Sequence, residues 1–415
     1  MTTFQTPEQT LLARAHQLDE DDPLAAYRAA FLEAPDSDLV AYLDGNSLGR
    51  PLRATAERMD RFIRGQWAGR LIRGWTDEWL AWPERLGDRI AAAALGAAPG
   101  QVVVADSTTV LLYKLVCAAV DARPGRCQIV VDHDNFPTDR YVVEAIARVR
   151  GLELVWIRAD LASGVTLEQV AEVVSDRTAL VLLSHVAYRS GWMADGPAIT
   201  RIAHDAGALV LWDLSHSAGS VELALDAWGA DLAAGCTYKY LNGGPGAPAF
   251  GYVNRALQAE FRQPIWGWMG RRDSFAMAAG YEPADGIRSL LSGTPAILAM
   301  VPLSVSLEIL EEVGTAAVRR KSVALTEYAV ELLDTLLGGA ELLSPRDPER
   351  RGGHVTIRKP GARDVVAKLW DEGVIPDYRE PDGIRIGLAP LSTSFEEVYH
   401  GVTSLCRQLG SGACR

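Results

Sequence analysis

Between residues 102 and 213 the chain alternates short, almost wholly apolar runs with stretches of helical periodicity. That rhythm restricts the fold more than any other feature. The runs 102–104, 128–131, 152–157, 179–183 and 208–212 read as strands. Helical patterns fill the intervals near 109–120, 138–149, 167–174 and 197–206. Strand, helix, strand in repeated succession predicts an α/β fold: a mostly parallel central sheet with helices on both faces. Continuous apolar strands fit that arrangement, because a strand covered on both faces has no solvent side to show.

After about residue 300 the rhythm changes. A long helical region spans roughly 295–337, strand candidates follow at 354–358 and 384–388, and a final helix covers about 395–409. This reads as a smaller α+β domain. The expected division is a large domain over 50–300 and a small domain made of 1–49 with 301–415. A chain of 415 residues is long enough for two such units.

Composition excludes several function classes. Lys plus Arg number 41 against 53 Asp plus Glu, a net charge of −12. Such a chain has no electrostatic footprint for nucleic acid. No apolar run reaches membrane-spanning length, and the N-terminal stretch lacks the basic start and apolar core of a signal peptide. Five cysteines, Cys117, Cys127, Cys236, Cys406 and Cys414, form no CxxC pair. An odd, unpaired set argues against a disulfide framework or a zinc site and points to a reducing cytoplasm. Cys236 reads as a small packing residue in preference to a reactive thiol.

Chemistry-bearing residues gather where predicted strands end, the place where open α/β sheets bind ligands. Asp106-Ser-Thr-Thr109 opens a helix, and its hydroxyls and free N–H groups could hold a phosphate. Capping by Asp106 or Ser107 would explain the same string. Asn135-Phe-Pro-Thr-Asp139 offers Phe136 as a stacking face, or simply a capped turn. Ser184-His-Val-Ala-Tyr-Arg-Ser-Gly191 follows a buried strand and reads as a site rim or a turn. Asp213 ends a wholly apolar strand, with His216 three residues on. A carboxylate there is costly unless a positive group meets it, and a protonated pyridine nitrogen is one such group. Lys239 stands in an uncharged stretch just before Asn242-Gly-Gly-Pro-Gly246. A lysine so placed has a lowered pKa and acts as a nucleophile. Lysine and aspartate together form the arrangement expected of a pyridoxal phosphate (PLP) site.

These strings resemble kynureninase, a PLP-dependent hydrolase of the aspartate-aminotransferase fold, fold type I. The resemblance is carried by Tyr42-Leu-Asp-Gly-Asn-Ser-Leu-Gly49, the segments at 106–109 and 135–139, and Trp212-Asp-Leu-Ser-His-Ser-Ala-Gly219. It continues in Cys236-Thr-Tyr-Lys-Tyr-Leu-Asn-Gly-Gly-Pro-Gly246, Gly280-Tyr-Glu-Pro-Ala-Asp-Gly-Ile-Arg288 and Leu291-Ser-Gly-Thr-Pro295. It implies a fold type I, PLP-dependent transferase-like architecture and covers most of the chain.

The resemblance implies roles as well. Lys239 would carry PLP covalently, Asp213 would pair with its ring nitrogen, and Phe136 would stack on the ring. Thr108, Thr109, Tyr238 and Trp268 would surround the phosphate. Asp139, Ser184 and His216 would complete the cofactor shell, with Thr294 donated across a homodimer interface. Arg385 would bind the substrate α-carboxylate, with Arg379 as a second candidate. Lys239, Tyr238 and Asp213 would be catalytic, Tyr238 as a proton relay. The implied reaction hydrolyses the Cβ–Cγ bond of kynurenine or 3-hydroxykynurenine, yielding anthranilate or its 3-hydroxy form and alanine, in tryptophan catabolism.

Gly74, Thr76, Arg271 and Ser392 depart from the family's usual strings. These departures fall on the substrate side and leave two alternatives open. One is a diverged hydrolase for a ring-modified kynurenine; the other is a PLP lyase of the same fold.

Overall fold

The computed structural model describes residues 6–33, 37–337 and 341–410, so Cys414 lies outside the described residues. A seven-stranded sheet runs in the order Val102–Ala105, Ala249–Val253, Leu232–Gly235, Leu209–Asp213, Thr178–Ser184, Gln128–Asp132, Glu153–Ile157. Ala249–Val253 is antiparallel to both neighbours, and the remaining pairings are parallel.

Alternation along each strand distributes the core. Val103, Ile129, Val131, Leu180, Leu182, Leu209 and Leu211 point to one face and pack with Leu111 and Leu115. Val102, Val104, Val130, Val181, Val210 and Trp212 point to the other and pack with Ile199 and Ala203. Period two makes this split unavoidable once the register is set. The sheet is thus dry on both sides, and its polar groups are displaced to the strand ends.

The expected helices lie within a residue or two of their predicted bounds: Thr108–Asp121, Pro137–Arg150, Leu167–Val173 and Gly196–Asp205. Two features differ from expectation. The long helical region is two helices, Ile297–Val313 and Thr315–Leu337, parted by Gly314 at φ 76°. A positive φ of that kind suits glycine and ends a helix. The strands Leu232–Gly235 and Ala249–Val253 also went unread in the sequence, although they flank the Lys239 loop.

A second, antiparallel sheet orders Asp377–Arg379, Gly383–Gly387, His354–Arg358 and Glu341–Leu342. Its apolar face shares a core with Leu325, Tyr328, Leu332, Val398 and Val402, and with Leu11 and Ala15 of the N-terminal helix Pro7–Glu20. Helix Ile297–Val313 packs instead with the large-sheet core, through Met300, Val301, Leu303 and Leu307.

The segment 41–49 stitches the two sheets together. Ala41 and Tyr42 pair in parallel with Val374 and Ile375. Leu43 accepts the Gly387 N–H at 2.6 Å, and Gly49 N–H donates to the Tyr238 carbonyl at 2.8 Å. Glycine is required at the second contact. A Cβ on Gly49 would stand 2.5 Å from the Lys239 carbonyl oxygen and 1.9 Å from Asn242 Oδ1. Gly49→Ala should therefore cost about 1–3 kcal/mol of stability by overpacking. An unchanged melting midpoint in differential scanning calorimetry would refute this.

Candidate active site

Strand Leu209–Asp213 delivers Asp213 to the carboxyl edge of the sheet, where it is 6% exposed. Its Oδ1 accepts the Ser215 N–H at 2.8 Å, which turns the chain back. That turn brings in His216. Across from it, the loop after Leu232–Gly235 carries Lys239, also buried. Lys239 Nζ lies 2.9 Å from His216 Nε2 and 5.7 Å from the centre of the Phe136 ring.

Electrostatics in this pocket follow from burial among cations. Burial lowers the Lys239 pKa; Arg385 and Arg379 push the same way, while Cys236 and Asp213 oppose. Burial, then Lys239 and Arg385, drive His216 well below its ordinary value, so its imidazole is neutral. Asp139 is held well above the carboxylate range by burial, then by Asp213 and Asp132. Both Asp139 oxygens and His216 Nδ1 are buried without hydrogen-bond partners. Buried polar groups in this state signal a missing ligand or water. Burial also raises the Tyr238 phenol, which stays protonated. Cys236 is 4% exposed and its thiol is raised by burial, so it packs and does not react.

The expected phosphate corner is built as a helix start. Ser107 caps Thr108–Asp121 by accepting the Val110 N–H, at 3.4 Å. The first-turn N–H groups of Thr108 and Thr109 consequently have no intrahelical acceptor. Asp106 is spent elsewhere, on the buried Lys114 amine at 2.6 Å. The Asp106 carbonyl accepts the Ala249 N–H at 3.1 Å, and Thr237 donates to Pro248 at 2.6 Å, so this corner adjoins the lysine loop. Ser184 acts on the loop before Phe136: its hydroxyl donates to Asn135 Oδ1 at 2.7 Å.

Arg385 is wholly buried. It donates to the Tyr188 carbonyl and Ser47 Oγ, each at 2.7 Å, and to Asp377 Oδ2 at 2.5 Å, with Asp44 at 3.6 Å. Arg379 reaches the same Asp377 oxygen at 2.7 Å and lies over the Tyr188 ring. Trp268 and Thr294 stand apart, both exposed, on neighbouring loops joined by the Met269 N–H to the Ser292 carbonyl. Among the departures from the family strings, Gly74 has a packing reason, since a Cβ there would lie 2.4 Å from the Trp79 ring. Thr76 is exposed, Arg271 bonds the Asp273 carbonyl, and Ser392 is buried beyond the small sheet.

Sequence reasoning quoted Asp44, Ser47 and Tyr188 within its strings without linking them to Arg385, and it passed over Asp377 there and His354 beside His216, the two rings 5.4 Å apart. One signal was available for His354. In His354–Arg358 the polar residues alternate with Val355 and Ile357, so the strand has a polar face, and that face looks into the site.

With this geometry in hand, comparison decides the family. The chain is 42% identical over 409 residues to the kynureninase of Burkholderia pseudomallei, covering 96% of this chain and 95% of that one. The chain belongs to the kynureninase family. The kynureninase of Pseudomonas fluorescens is likewise 42% identical, over 94% of this chain and 93% of its own. Residues 318–405 match the kynureninase C-terminal domain. Among solved structures, the apo cysteine desulfurase of Thermococcus onnurineus NA1 superposes with a TM-score of 0.79 at 21% identity, covering 99% of this chain and 100% of that one. The cystine C–S lyase C-DES superposes with 0.77 at 20% identity, over 90% and 98%. At these identities the structures show the fold type I architecture alone.

His185 sits behind the kynureninase-like site as a structural group. Its Nδ1 meets Ser217 Oγ at 2.9 Å, and its ring packs on Trp212 and Trp228. Burial holds its pKa down at about 4. The unfolded chain takes up this proton near its ordinary value of about 6.5, so stability is lost as pH falls from there toward 4. Between pH 7 and pH 5 the wild type should lose about 2 kcal/mol more than His185→Gln. Denaturant titrations at the two pH values check this, and parallel losses would refute it.

Proposed function

We propose that this chain hydrolyses the Cβ–Cγ bond of L-kynurenine, or of 3-hydroxykynurenine, to anthranilate, or 3-hydroxyanthranilate, and L-alanine, with PLP as cofactor. The observation that carries the reading is the buried Lys239 amine, 2.9 Å from a neutral imidazole, in a chain of this family. The unpartnered Asp139 oxygens and His216 Nδ1 fit a polar cofactor placed between them. Bound PLP supplies an electron-withdrawing ring that stabilises negative charge at the substrate Cα.

The chain's own residues supply the rest. Asp213 would hold the protonated ring nitrogen and Phe136 would lie on the ring face. Thr108 and Thr109, through first-turn N–H groups and hydroxyls, would bind the phosphate together with Tyr238, and Trp268, which stands apart within its own chain, would join them only from a second copy across the dimer interface. Ser184 would keep Phe136 in place through Asn135, while Asp139 and His216 would line the ring edge. Lys239 Nζ would hold the cofactor and, once released, carry the proton from Cα; a lowered pKa leaves it unprotonated for both tasks. Tyr238, protonated at neutral pH, would return a proton to the product carbon. Arg385 would anchor the α-carboxylate, with Arg379 beside it. A water molecule adds across the cleaved bond: its oxygen ends on the aromatic acid and hydrogen on alanine.

The same reading divides the chain into a cofactor domain, 50–300 together with the rest of helix Ile297–Val313, and a small domain of 1–49 and the chain from Thr315 on. It also makes the enzyme a cytoplasmic homodimer with its sites at the interface. Exposed Trp266, Trp268, Phe275 and Met277 support the dimer, as does the distance of Thr294 from any role within its own chain. Among the described residues no helix is long and apolar enough to cross a membrane. Sedimentation should give a dimer, and a monomer at micromolar concentration would refute the shared site.

A side-by-side assay with kynurenine, 3-hydroxykynurenine and ring-modified analogues tests the activity. The loaded wild type should release fluorescent anthranilate, and Lys239→Ala should lose both turnover and the visible absorption band. Loaded enzyme that yields neither anthranilate nor 3-hydroxyanthranilate would sink the proposal.

A further inference from the structure

Asp377 lies directly opposite Arg385 across the antiparallel ladder, and Arg379 follows two residues along the same strand. Residues two apart share a face, and directly opposed residues share it as well. The register therefore sets one carboxylate between two guanidiniums. Asp377 Oδ2 accepts from Arg385 Nη2 at 2.5 Å and lies 2.7 Å from Arg379 Nη2.

Counting donors shows what this means for a substrate carboxylate. A guanidinium has five N–H groups. Arg385 gives one Nη1–H to the Tyr188 carbonyl and its two Nη2–H groups to Ser47 Oγ and Asp377. With the Asn46 amide turned to suit its neighbours, its oxygen takes the Arg385 Nε–H at 3.2 Å and its nitrogen donates to Asp44 Oδ1 at 3.1 Å. One N–H on Nη1 is left. A carboxylate gripped end-on needs an N–H from each terminal nitrogen, so one of the two Nη2 partners has to yield.

Asp377 is the partner with somewhere to go. Ser47 belongs to the segment 41–49, which is tied to both sheets. Asp44, 3.6 Å from Nη2, stands beyond hydrogen-bond length. Asp377 already touches a second cation, and Arg379 Nε is buried without a hydrogen-bond partner. Nε and Nη2 of one guanidinium together form a side-on fork for a carboxylate. The Asp377 and Arg379 side chains are 18% and 29% exposed, against none for Arg385, so this end of the trio has room to shift. Asp377 and Asp44 also support the Arg385 charge against burial and against Arg379. An arriving carboxylate can take over the part that Asp377 plays.

We propose that Asp377 is a positioning residue that occupies Arg385 in the empty site and is handed to Arg379 when the substrate carboxylate arrives. Arg379 then acts on the substrate through Asp377, by drawing a competitor away from the anchor. The inference rests on Arg385 being the carboxylate anchor of the proposed function.

The test is binding of L-alanine to full-length, PLP-loaded protein, followed by the change in the visible band. Asp377→Asn, which removes the competing charge, should tighten binding about fivefold, and Arg379→Gln, which removes the receiver, should weaken it about tenfold, the scale of one charged hydrogen bond. In the Asp377→Asn background, Arg379→Gln should change binding about twofold or less, because residues that act through each other are not additive. Equal effects of Arg379→Gln in the two backgrounds overturn the proposal. Should Asp377→Asn not fold, Asp377→Ser is read in its place. Crystal structures of loaded wild type with and without L-alanine give a reading that needs no variant. Asp377 is expected on Arg379 alone in the complex, and Asp377 still hydrogen-bonded to Arg385 overturns the hand-over. Arg385→Ala separates the two levels. Unchanged alanine binding there would overturn the anchor and this inference with it, whereas weakened binding with additive Arg379→Gln effects would overturn the hand-over alone.

Discussion

The guanidinium of Arg385 is the contact on which the rest of the site depends. It is closed off from water and touches three parts of the chain: the loop after strand Thr178–Ser184 through the Tyr188 carbonyl, the N-terminal segment through Ser47 and Asp44, and its own sheet through Asp377. A buried charge without partners would shift toward neutrality or refuse burial. Each partner is therefore held in place by the cost of its absence. Because the partners come from both sheets, this one charge ties the small sheet to the large one.

That choice propagates to the titratable groups. With Arg385, Arg379 and Lys239 together inside a dry junction, no neighbouring imidazole can take a proton, and the amine itself is biased toward its free base. The carboxylates Asp132 and Asp139 are driven the other way by burial, then by Asp134 on the first and by Asp213 and Asp132 on the second. Burial thus favours the neutral form of amine, imidazole and carboxylate alike, and the nearby charges set how far each group moves.

Much of this was legible in the sequence because a doubly covered parallel sheet leaves few places for polar residues. Asp213 and Lys239 stand out against apolar surroundings, and the ends of Leu209–Asp213 and Thr178–Ser184 could be read from their runs of Leu and Val. The strands beside the lysine were not legible. Ala233, Ala234 and Gly235 carry no branched or aromatic side chains, so burial alone, supplied by Phe250 and Tyr252 of the next strand, makes them a strand. His354 escaped notice because a polar alternation normally means a solvent face, and here it means an interior one. The partners of Arg385 escaped for a different reason: Ser47 lies 338 positions away, and no local pattern reports a contact across the whole chain.

The stitch made by residues 41–49 has a bearing on the order of assembly. Its partners, Val374, Ile375, Arg385 and Gly387, emerge from the ribosome long after the segment itself. The large sheet can condense from neighbouring strands while synthesis continues, since its pairings are mostly local in sequence order. Closing the long loop between the stitch and its partners is entropically slow and comes late. A chain halted before residue 374 would carry the strands of the large sheet without Arg385 and without the partners of segment 41–49.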